Sequence, residues 1–270
     1  MSTGNEDFAL ILGASSGFGE ASALALAEAG MHIVGVHLDR RSTMPQVEAL
    51  QEKIRGLGRE AWFFNVNAAS DERRRDVLDA LSERLAARGG GARVRVLLHS
   101  LAFGTLRPLL PGEGAQADNA LTRANLEMTL DVMATSLVYW TQDLVRRGHL
   151  REHGRVFAMT STGSWACWPE YGAVSAAKAA LEAYIRQLAV EGATRGFTAN
   201  ALCAGVTRTP ALEKIPGSDA LVAKALAKNP HKRLTTPGDV ARALVCLAQP
   251  GADWVNGNVL NVDGGEAAAG

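Results

Sequence analysis

Cysteine is scarce in this sequence: only Cys167, Cys203 and Cys246 occur among 270 residues. Their number is odd, and no two of them have the close spacing of a zinc site or a disulfide framework. The sequence therefore predicts no metal site. We expect a cytoplasmic protein, because the first residues, MSTGNEDFALILG, have neither a basic region nor the apolar core of a signal peptide.

Two further features are missing, a long apolar run and an excess of one charge. No segment reaches the run of about 18 apolar residues that a membrane-spanning helix needs. Twenty-eight basic residues balance twenty-eight acidic ones, so composition does not favour nucleic acid or an anionic membrane as a partner. By contrast, hydrophobic residues make up 47% of the chain, which is ample for a buried core.

Short apolar segments alternate with helix-like segments along the chain, which is the sequence form of repeated βαβ units. Several of the apolar segments have no polar interruptions, as expected for parallel strands covered on both faces. The predicted strands are 8–12, 32–36, 61–66, 94–99, 154–159, 198–202 and 258–262, and the clearest predicted helices are 20–30, 73–88, 122–147 and 176–193. This pattern predicts one α/β domain over residues 1–270, a doubly wound parallel sheet of about seven strands.

The segment 210–233 interrupts the alternation late in the chain. A long connection of this kind inside a compact domain is often functional. We expect it to act as a lid over a ligand.

A glycine-rich turn, GASSGFG, follows the first predicted strand and precedes an alanine-rich helix. Glycines let the backbone approach a phosphate closely, and the free N–H groups at a helix start favour an anion. The turn could also be purely structural, but its place in the alternation favours a dinucleotide site. The residues assigned to this cradle are Gly13, Ser15, Ser16, Gly17, Phe18 and Gly19.

The end of the second strand bears on the choice of cofactor. His37 follows this predicted strand, and Asp39, Arg40 and Arg41 come after it. Asp39 stands later than expected for a carboxylate that binds a bare ribose, whereas two arginines can pair with a 2′-phosphate. The sequence therefore favours NADPH over NADH. The alternative is that Arg40 and Arg41 are ordinary solvated loop residues.

Tyr171 and Lys178 stand seven residues apart in YGAVSAAK. At about 100° per residue, seven steps return to nearly the same helix face two turns along, so both side chains could address one ligand. Val174, four residues before the lysine, has no proton to donate. The alternative is a tyrosine packed in the core and a lysine exposed to solvent.

These motifs together resemble the short-chain dehydrogenase/reductase family over nearly the whole chain. The matching segments are GASSGFG, Asn65–Val66, Ser161, Tyr171 with Lys178, NALCAGVTRT (200–209) and VDGG (262–265). The resemblance implies a Rossmann-type fold and a homotetramer built through the two long helices, 122–147 and 172–195.

The resemblance also implies roles for single residues. Tyr171, Lys178 and Ser161 would be catalytic, and Lys178 would also contact the nicotinamide ribose. Further cofactor contacts are implied for His37, Arg40, Arg41, Asn65, Val66, Ser100, Leu101, Ala102, Gly205, Val206, Thr207 and Thr209. From the residues alone, Ser161 could equally be a turn serine and Thr209 a helix cap.

Three departures from the family pattern point to one branch. The usual tyrosine precedes its lysine by four residues rather than seven, HSLAF (99–103) stands where NNAG is common, and Met133 replaces the usual asparagine. This combination is similar to the branch that contains enoyl-thioester reductases of fatty-acid synthesis, most of all to the third bacterial class, which uses NADPH. His99 is expected to fill a strand end beside the cofactor without acting as an acid or base.

The spacing suits conjugate reduction, in which hydride goes to the β-carbon while negative charge develops on the more distant carbonyl oxygen. Moving the tyrosine three residues toward the helix start shifts its backbone by about 4.5 Å along the axis. Tyr171 could then stabilise the enolate oxygen, and the charge of Lys178 is expected to lower the pKa of its phenol.

Three functions follow as expectations. The first is NADPH-dependent reduction of a 2-enoyl thioester on acyl carrier protein or coenzyme A, in fatty-acid or polyketide-type biosynthesis. The second is carbonyl reduction of a ketone or 3-oxoacyl thioester. The third is a catalytically silent NADPH-binding scaffold.

Trp165, Cys167 and Trp168 could line an acyl channel, but a wedge of core aromatics is the simpler interpretation.

Overall fold

Seven parallel strands form one sheet in the computed structural model, which describes residues 7–88, 91–113 and 119–269. The strands are β1 (Asp7–Leu12), β2 (His32–His37), β3 (Ala61–Asn65), β4 (Arg93–His99), β5 (Leu150–Ser161), β6 (Phe197–Ala204) and β7 (Val259–Val262). Their order is β3-β2-β1-β4-β5-β6-β7. From β1 the chain adds β2 and β3 on one side of the sheet and then, starting with β4, adds strands on the other side. Ligands of such sheets bind at the carboxyl ends of the strands beside this switch point.

Helices cover both faces of the sheet, as the sequence predicts. They are α1 (Gly17–Glu28), α2 (Met44–Gly56), α3 (Asp71–Ala87), α4 (Arg123–Leu130), α5 (Ser136–Arg146), α6 (Gly172–Ala193), α7 (Ser218–Lys228) and α8 (Pro237–Ala248). One apolar core lies between the sheet and α3, α5 and α6. The other lies between the sheet and α1, α2 and α8. The doubly wound α/β prediction is confirmed.

The long helix predicted over 122–147 contains an irregularity. Between α4 and α5, residues Asp131–Thr135 form one turn of π-helix. Met133, the residue in the place of the usual asparagine, lies in this turn and is 2% exposed. Helical periodicity carries no signal for an inserted residue of this kind, so the sequence predicts an uninterrupted helix.

The predicted lid segment 210–233 has secondary structure of its own. It contains a 3₁₀ turn at Leu212–Lys214 and helix α7. The Trp168 Nε1–H donates to the Pro216 carbonyl over 2.9 Å, which ties this segment to the loop before α6. No helix in the described part of the chain has the length and apolar character needed to cross a membrane.

Candidate active site

The glycine turn after β1 is packed too closely to accept side chains at two positions. A Cβ added to Gly19 would lie 1.9 Å from the Gly13 carbonyl oxygen, and one added to Gly13 would lie 2.4 Å from the Ser100 carbonyl oxygen. Gly13 also has φ of 88°, in the left-handed region that favours glycine. The turn leads into α1 at Gly17, whose first N–H groups are free for an anion. This cradle fits the pyrophosphate of a dinucleotide.

The loop after β2 contacts this cradle through Asp39. Its carboxylate accepts from the Thr43 hydroxyl over 2.7 Å and contacts His37 Nδ1 at 2.9 Å. Partial burial alone would raise the pKa of Asp39, but hydrogen bonds from Ser15, Thr43 and His37 outweigh it and hold that pKa below its usual value. The carboxylate therefore braces the second strand against the glycine turn.

The other residues assigned at this end differ in exposure. His37 is buried, whereas Arg40 and Arg41 are exposed. Within the described residues, neither arginine side chain forms an ion pair. Asn65 donates to the Asp39 carbonyl over 3.0 Å, and the Val66 N–H donates to the His37 carbonyl over 2.8 Å. Asn65 and Val66 therefore shape the loop that presents the arginines.

Tyr171 stands at the residue before α6, which begins at Gly172. Its carbonyl accepts the first helical hydrogen bond, from the Ser175 N–H at 2.8 Å. Burial raises the pKa of the Tyr171 phenol above its usual value of 10, against a hydrogen bond with Ser161 that lowers it. The expectation that Lys178 lowers this pKa is therefore wrong: the phenol is held as a neutral acid.

Lys178 is 6% exposed, so the alternative of a solvated lysine is excluded. Its ammonium donates to the Met159 carbonyl over 2.7 Å, which directs it to the end of β5. Burial lowers the pKa of Lys178 to about 8, although the charge of Glu182 opposes that shift. The lysine and Ser161 thus lie at the same strand end.

Ser161 is the last residue of β5, beside the phenol. Its Oγ accepts from the Gly163 N–H over 3.3 Å, so it also serves the turn. A Cβ added to Gly163 would lie 2.6 Å from the Tyr171 ring and 3.1 Å from Ser161 Oγ. The serine, the phenol and this glycine therefore form one packed unit.

An apolar cluster fills the space beside the Tyr171 ring. Its buried members are Met133, Val174 and Ala177, and the ring packs against them. A Cβ added to Gly104 would lie 2.8 Å from Val174 Cγ2 and 3.0 Å from Met133 Sδ. Two departures from the family pattern, Met133 and Val174, therefore meet in space under the loop that continues HSLAF.

His99 is fully buried at the end of β4. Its Nε2 contacts Ser136 Oγ at 2.9 Å. Burial, together with the charge of Lys178, lowers the pKa of His99 to about 3, so the imidazole is neutral. This agrees with the expectation that it has no acid or base role.

The remaining assigned residues lie at the same edge of the sheet. Ser100, Leu101 and Ala102 follow β4, and Ser100 and Leu101 lie beside Gly13. Gly205, Val206 and Thr207 follow β6, where Thr207 donates to the Gly205 carbonyl over 2.9 Å. Thr209 lies against Gly17, and its Oγ1 also accepts from the Leu212 N–H over 3.2 Å. Thr209 therefore closes the turn before the 3₁₀ segment, whose N-cap is Ala211, and also lies beside the cradle.

The aromatic wedge predicted before Tyr171 is not a core. Trp165 is 69% exposed and Cys167 is exposed as well. Phe103, Leu109 and Leu110, in the loop after β4, are also exposed, and a Cβ added to Gly172 at the start of α6 would lie 2.9 Å from Leu109 Cδ1. Sequence reasoning missed this apolar rim because solvent exposure depends on the path of the loops. We call Phe103, Leu109, Leu110 and Trp165 the apolar rim.

Comparisons with known proteins agree with this geometry. A family model described as enoyl-(acyl carrier protein) reductase matches residues 13–266. A 3-oxoacyl-[acyl-carrier-protein] reductase of Synechocystis sp. is 30% identical, with 95% of each chain covered. An NADPH-dependent aldehyde reductase-like protein of Arabidopsis thaliana is 29% identical, covering 95% of this chain and 93% of that protein.

Among solved structures, an enoyl-[acyl-carrier-protein] reductase (NADH) from Aquifex aeolicus superposes with a TM-score of 0.78 at 25% identity, covering 98% of this chain and 97% of that one. A short-chain dehydrogenase from Burkholderia cenocepacia in complex with NADP has the same fold, with a TM-score of 0.80 at 24% identity and 97% and 98% covered. The match over residues 13–266, together with these relatives, places the chain in the short-chain dehydrogenase/reductase family of nicotinamide-dependent oxidoreductases.

Proposed function

We propose that this chain is an NADPH-dependent reductase of 2-enoyl thioesters carried by acyl carrier protein or coenzyme A, in fatty-acid or polyketide-type biosynthesis. The apolar cluster of Met133 and Val174 under Gly104 carries the proposal. In the family pattern that the sequence resembles, an asparagine and a tyrosine would occupy these two positions. Both polar groups are absent together, and their replacements pack against each other. The acid that remains at the start of α6 is Tyr171.

The reaction divides between cofactor and protein. When bound, the reduced nicotinamide supplies the hydride that the β-carbon of an enoyl thioester accepts. Tyr171, kept protonated by burial, donates a hydrogen bond to the thioester carbonyl oxygen as negative charge develops there. Ser161 orients the phenol, and Lys178 holds the cofactor ribose.

The apolar rim supports an acyl chain as substrate. Its four side chains are between 59% and 78% exposed and lie in the loops after β4 and β5, the strand ends at the candidate site. Exposed apolar side chains near a polar site are typical of a ligand groove. We further propose that segment 210–233, which is hydrogen-bonded to Trp168, closes over the acyl chain of the substrate as a lid.

NADPH is the proposed cofactor because two exposed arginines follow β2. The Asp39 carboxylate is already engaged by Thr43 and His37, and the two guanidinium groups outnumber its single charge. Arg40→Ala with Arg41→Ala should raise the KM for NADPH about tenfold and leave that for NADH nearly unchanged. Arg75→Ala, an exposed arginine on α3, is the control. Equal effects on the two cofactors would contradict the proposal.

Carbonyl reduction is the second candidate. The observation that favours it is the 30% identity to the 3-oxoacyl-[acyl-carrier-protein] reductase of Synechocystis sp.. A silent NADPH-binding scaffold is the third candidate, but such a protein has no need for both a buried lysine at the end of β5 and a phenol that burial keeps protonated.

The deciding experiment follows the loss of nicotinamide absorbance by the purified chain. NADPH and NADH are offered in parallel with a medium-chain 2-enoyl thioester and with its 3-oxoacyl counterpart. We expect turnover of the enoyl compound. Turnover of only the 3-oxoacyl compound would overturn enoyl reduction in favour of the second candidate, and cofactor binding without oxidation of either would favour the scaffold.

A homotetramer is part of the proposal. Leu126 and Leu130 on α4, Tyr139 on α5 and Val190 on α6 are apolar and exposed, with Val190 at 72%. These are the helices through which family resemblance implies assembly. Light scattering coupled to size exclusion should give four chains, and Val190→Lys should reduce that number. A monomer at micromolar concentration would contradict the assembly.

A further inference from the structure

A second charge, only partly buried, lies at the strand end that holds Lys178, and no step described so far uses it. Glu182 stands four residues after Lys178 on α6, and its Oε1 accepts from the Thr160 hydroxyl over 2.6 Å. Thr160 lies between Met159, whose carbonyl accepts from Lys178, and Ser161, which bonds the phenol. The carboxylate is therefore fixed to the strand end that aligns the other two side chains.

Helix geometry places Lys178 and Glu182 on the same side of α6. Four residues add about 400°, so the two side chains fall within about 40° of each other around the axis. A lysine and a glutamate four residues apart face each other on a helix surface. Here the pair is turned toward β5, with Lys178 buried and Glu182 partly buried, so solvent screens their interaction less than it would on an exposed helix face.

The groups around the Lys178 ammonium leave Glu182 as its counter-charge. His99, on β4, is neutral because its pKa is about 3. Cys203, on β6 and opposite Thr160 in the strand register, remains a thiol because burial raises its pKa to about 12. Tyr171 is held protonated by burial. Asp263 and Glu266 act on Cys203 and are not among the groups that shift Lys178.

We propose that Glu182 is a positioning residue that keeps Lys178 charged and aimed at the cofactor despite its burial. An isolated buried ammonium tends to lose its proton, because desolvation disfavours the charged form. The negative charge of Glu182, one helical turn away, opposes the loss of the Lys178 proton. The hydrogen bond from Thr160 holds the carboxylate in position. The inference rests on the proposed cofactor contact of Lys178.

The test measures NADPH affinity by fluorescence between pH 7 and 10, without substrate. Glu182→Gln removes the charge but keeps an oxygen that can accept from Thr160. We expect wild-type affinity to fall as pH rises through about 8, where Lys178 deprotonates. In the variant the fall should begin about one pH unit lower, so that affinity at pH 8 is about fivefold weaker while affinity at pH 7 is closer to wild type.

Glu191→Gln is the matched control, because Glu191 is an exposed residue on the same helix that bonds Gln187. It should leave the profile unchanged. A Glu182→Gln profile that matches wild type, or that is weaker by the same factor at every pH, would overturn the role of Glu182 alone. A wild-type affinity that is flat to pH 10 would contradict the cofactor contact of Lys178, and the Glu182 proposal with it.

Discussion

Buried cations lie at both ends of the parallel strands, but they differ in how completely they are hydrogen-bonded. We call the side of the sheet where the strands begin the amino edge and the side where they end the carboxyl edge. At the amino edge Arg155 is 1% exposed and donates to the carbonyls of Leu247 and His153 and to the Asp253 carboxylate. At the carboxyl edge Lys178 donates to one carbonyl and, among the described residues, touches no carboxylate. A fully bonded cation stabilises the fold, whereas a partly bonded one has a lowered pKa and is available to a ligand.

The rest of the amino edge repeats the fully bonded pattern. Arg95 donates to Asp7 over 3.0 Å and to the Ala248 carbonyl over 2.8 Å. Arg151 also pairs with Asp7. These bonds join β1, β4 and β5 to the end of α8, far from the candidate site. The comparison predicts that changes at the carboxyl edge affect catalysis and changes at the amino edge affect stability.

The largest effect is expected for Tyr171→Phe, which removes the acid but keeps the ring that packs on Met133 and Val174. Turnover of the enoyl thioester should fall about 10²- to 10³-fold, the range for losing one group that stabilises an oxyanion. The Kd for NADPH and the unfolding midpoint should remain near wild type. Tyr184→Phe, on the same helix and packed against the core, is the control. Unchanged turnover would remove Tyr171 from the mechanism.

Arg155→Met should give the largest loss of stability. It leaves buried carbonyls without a donor and Asp253 without its main partner, so the free energy of unfolding should fall by about 3 kcal/mol. Urea denaturation measures this change. The folded fraction should keep kcat within about twofold, because the amino edge does not touch the site. A selective loss of kcat would contradict the division between the two edges.

Lys178→Met should stabilise the cofactor-free protein at pH 7, by about 1 to 2 kcal/mol, because it removes a buried and incompletely bonded charge. The pKa of Lys178 is about 8 when folded and 10.5 in the unfolded reference. Between these values the unfolded wild-type chain binds more protons, so wild-type stability rises with pH and the advantage of the variant shrinks. Denaturation at pH 7 and 10 measures both quantities. An advantage that grows toward pH 10 would contradict the direction of the shift.

Arg151→Ala should give the smallest effect of the four. Arg151 is 43% exposed and Arg95 still neutralises Asp7 in its absence. Unfolding should be easier by less than about 1 kcal/mol, with 0.5 M salt reducing the difference further. A loss of stability as large as that of Arg155→Met would contradict the expectation that the more exposed arginine at this edge contributes less to stability.

Much of the fold could be predicted because local pattern and tertiary structure agree. All seven strands occur where apolar runs predicted them, with β5 extended at both ends to Leu150–Ser161. The glycine turn was recognisable because only glycine fits where Gly19 meets the Gly13 carbonyl. Asp39, by contrast, stands later in the sequence than expected for a ribose-binding carboxylate, and its contact with Ser15 depends on how the loop after β2 folds back.

The sequence by itself determined the sheet, its two covered faces, the glycine turn before α1 and the seven-residue spacing of Tyr171 and Lys178, because each depends on residue type at short spacing. Only the tertiary structure decided that the phenol is kept protonated, that Lys178 is buried against Met159, and that Trp165 faces solvent. It also brought Met133, Val174 and Gly104 into one contact. These properties depend on desolvation and on neighbours from distant segments, and no local pattern in the sequence encodes either.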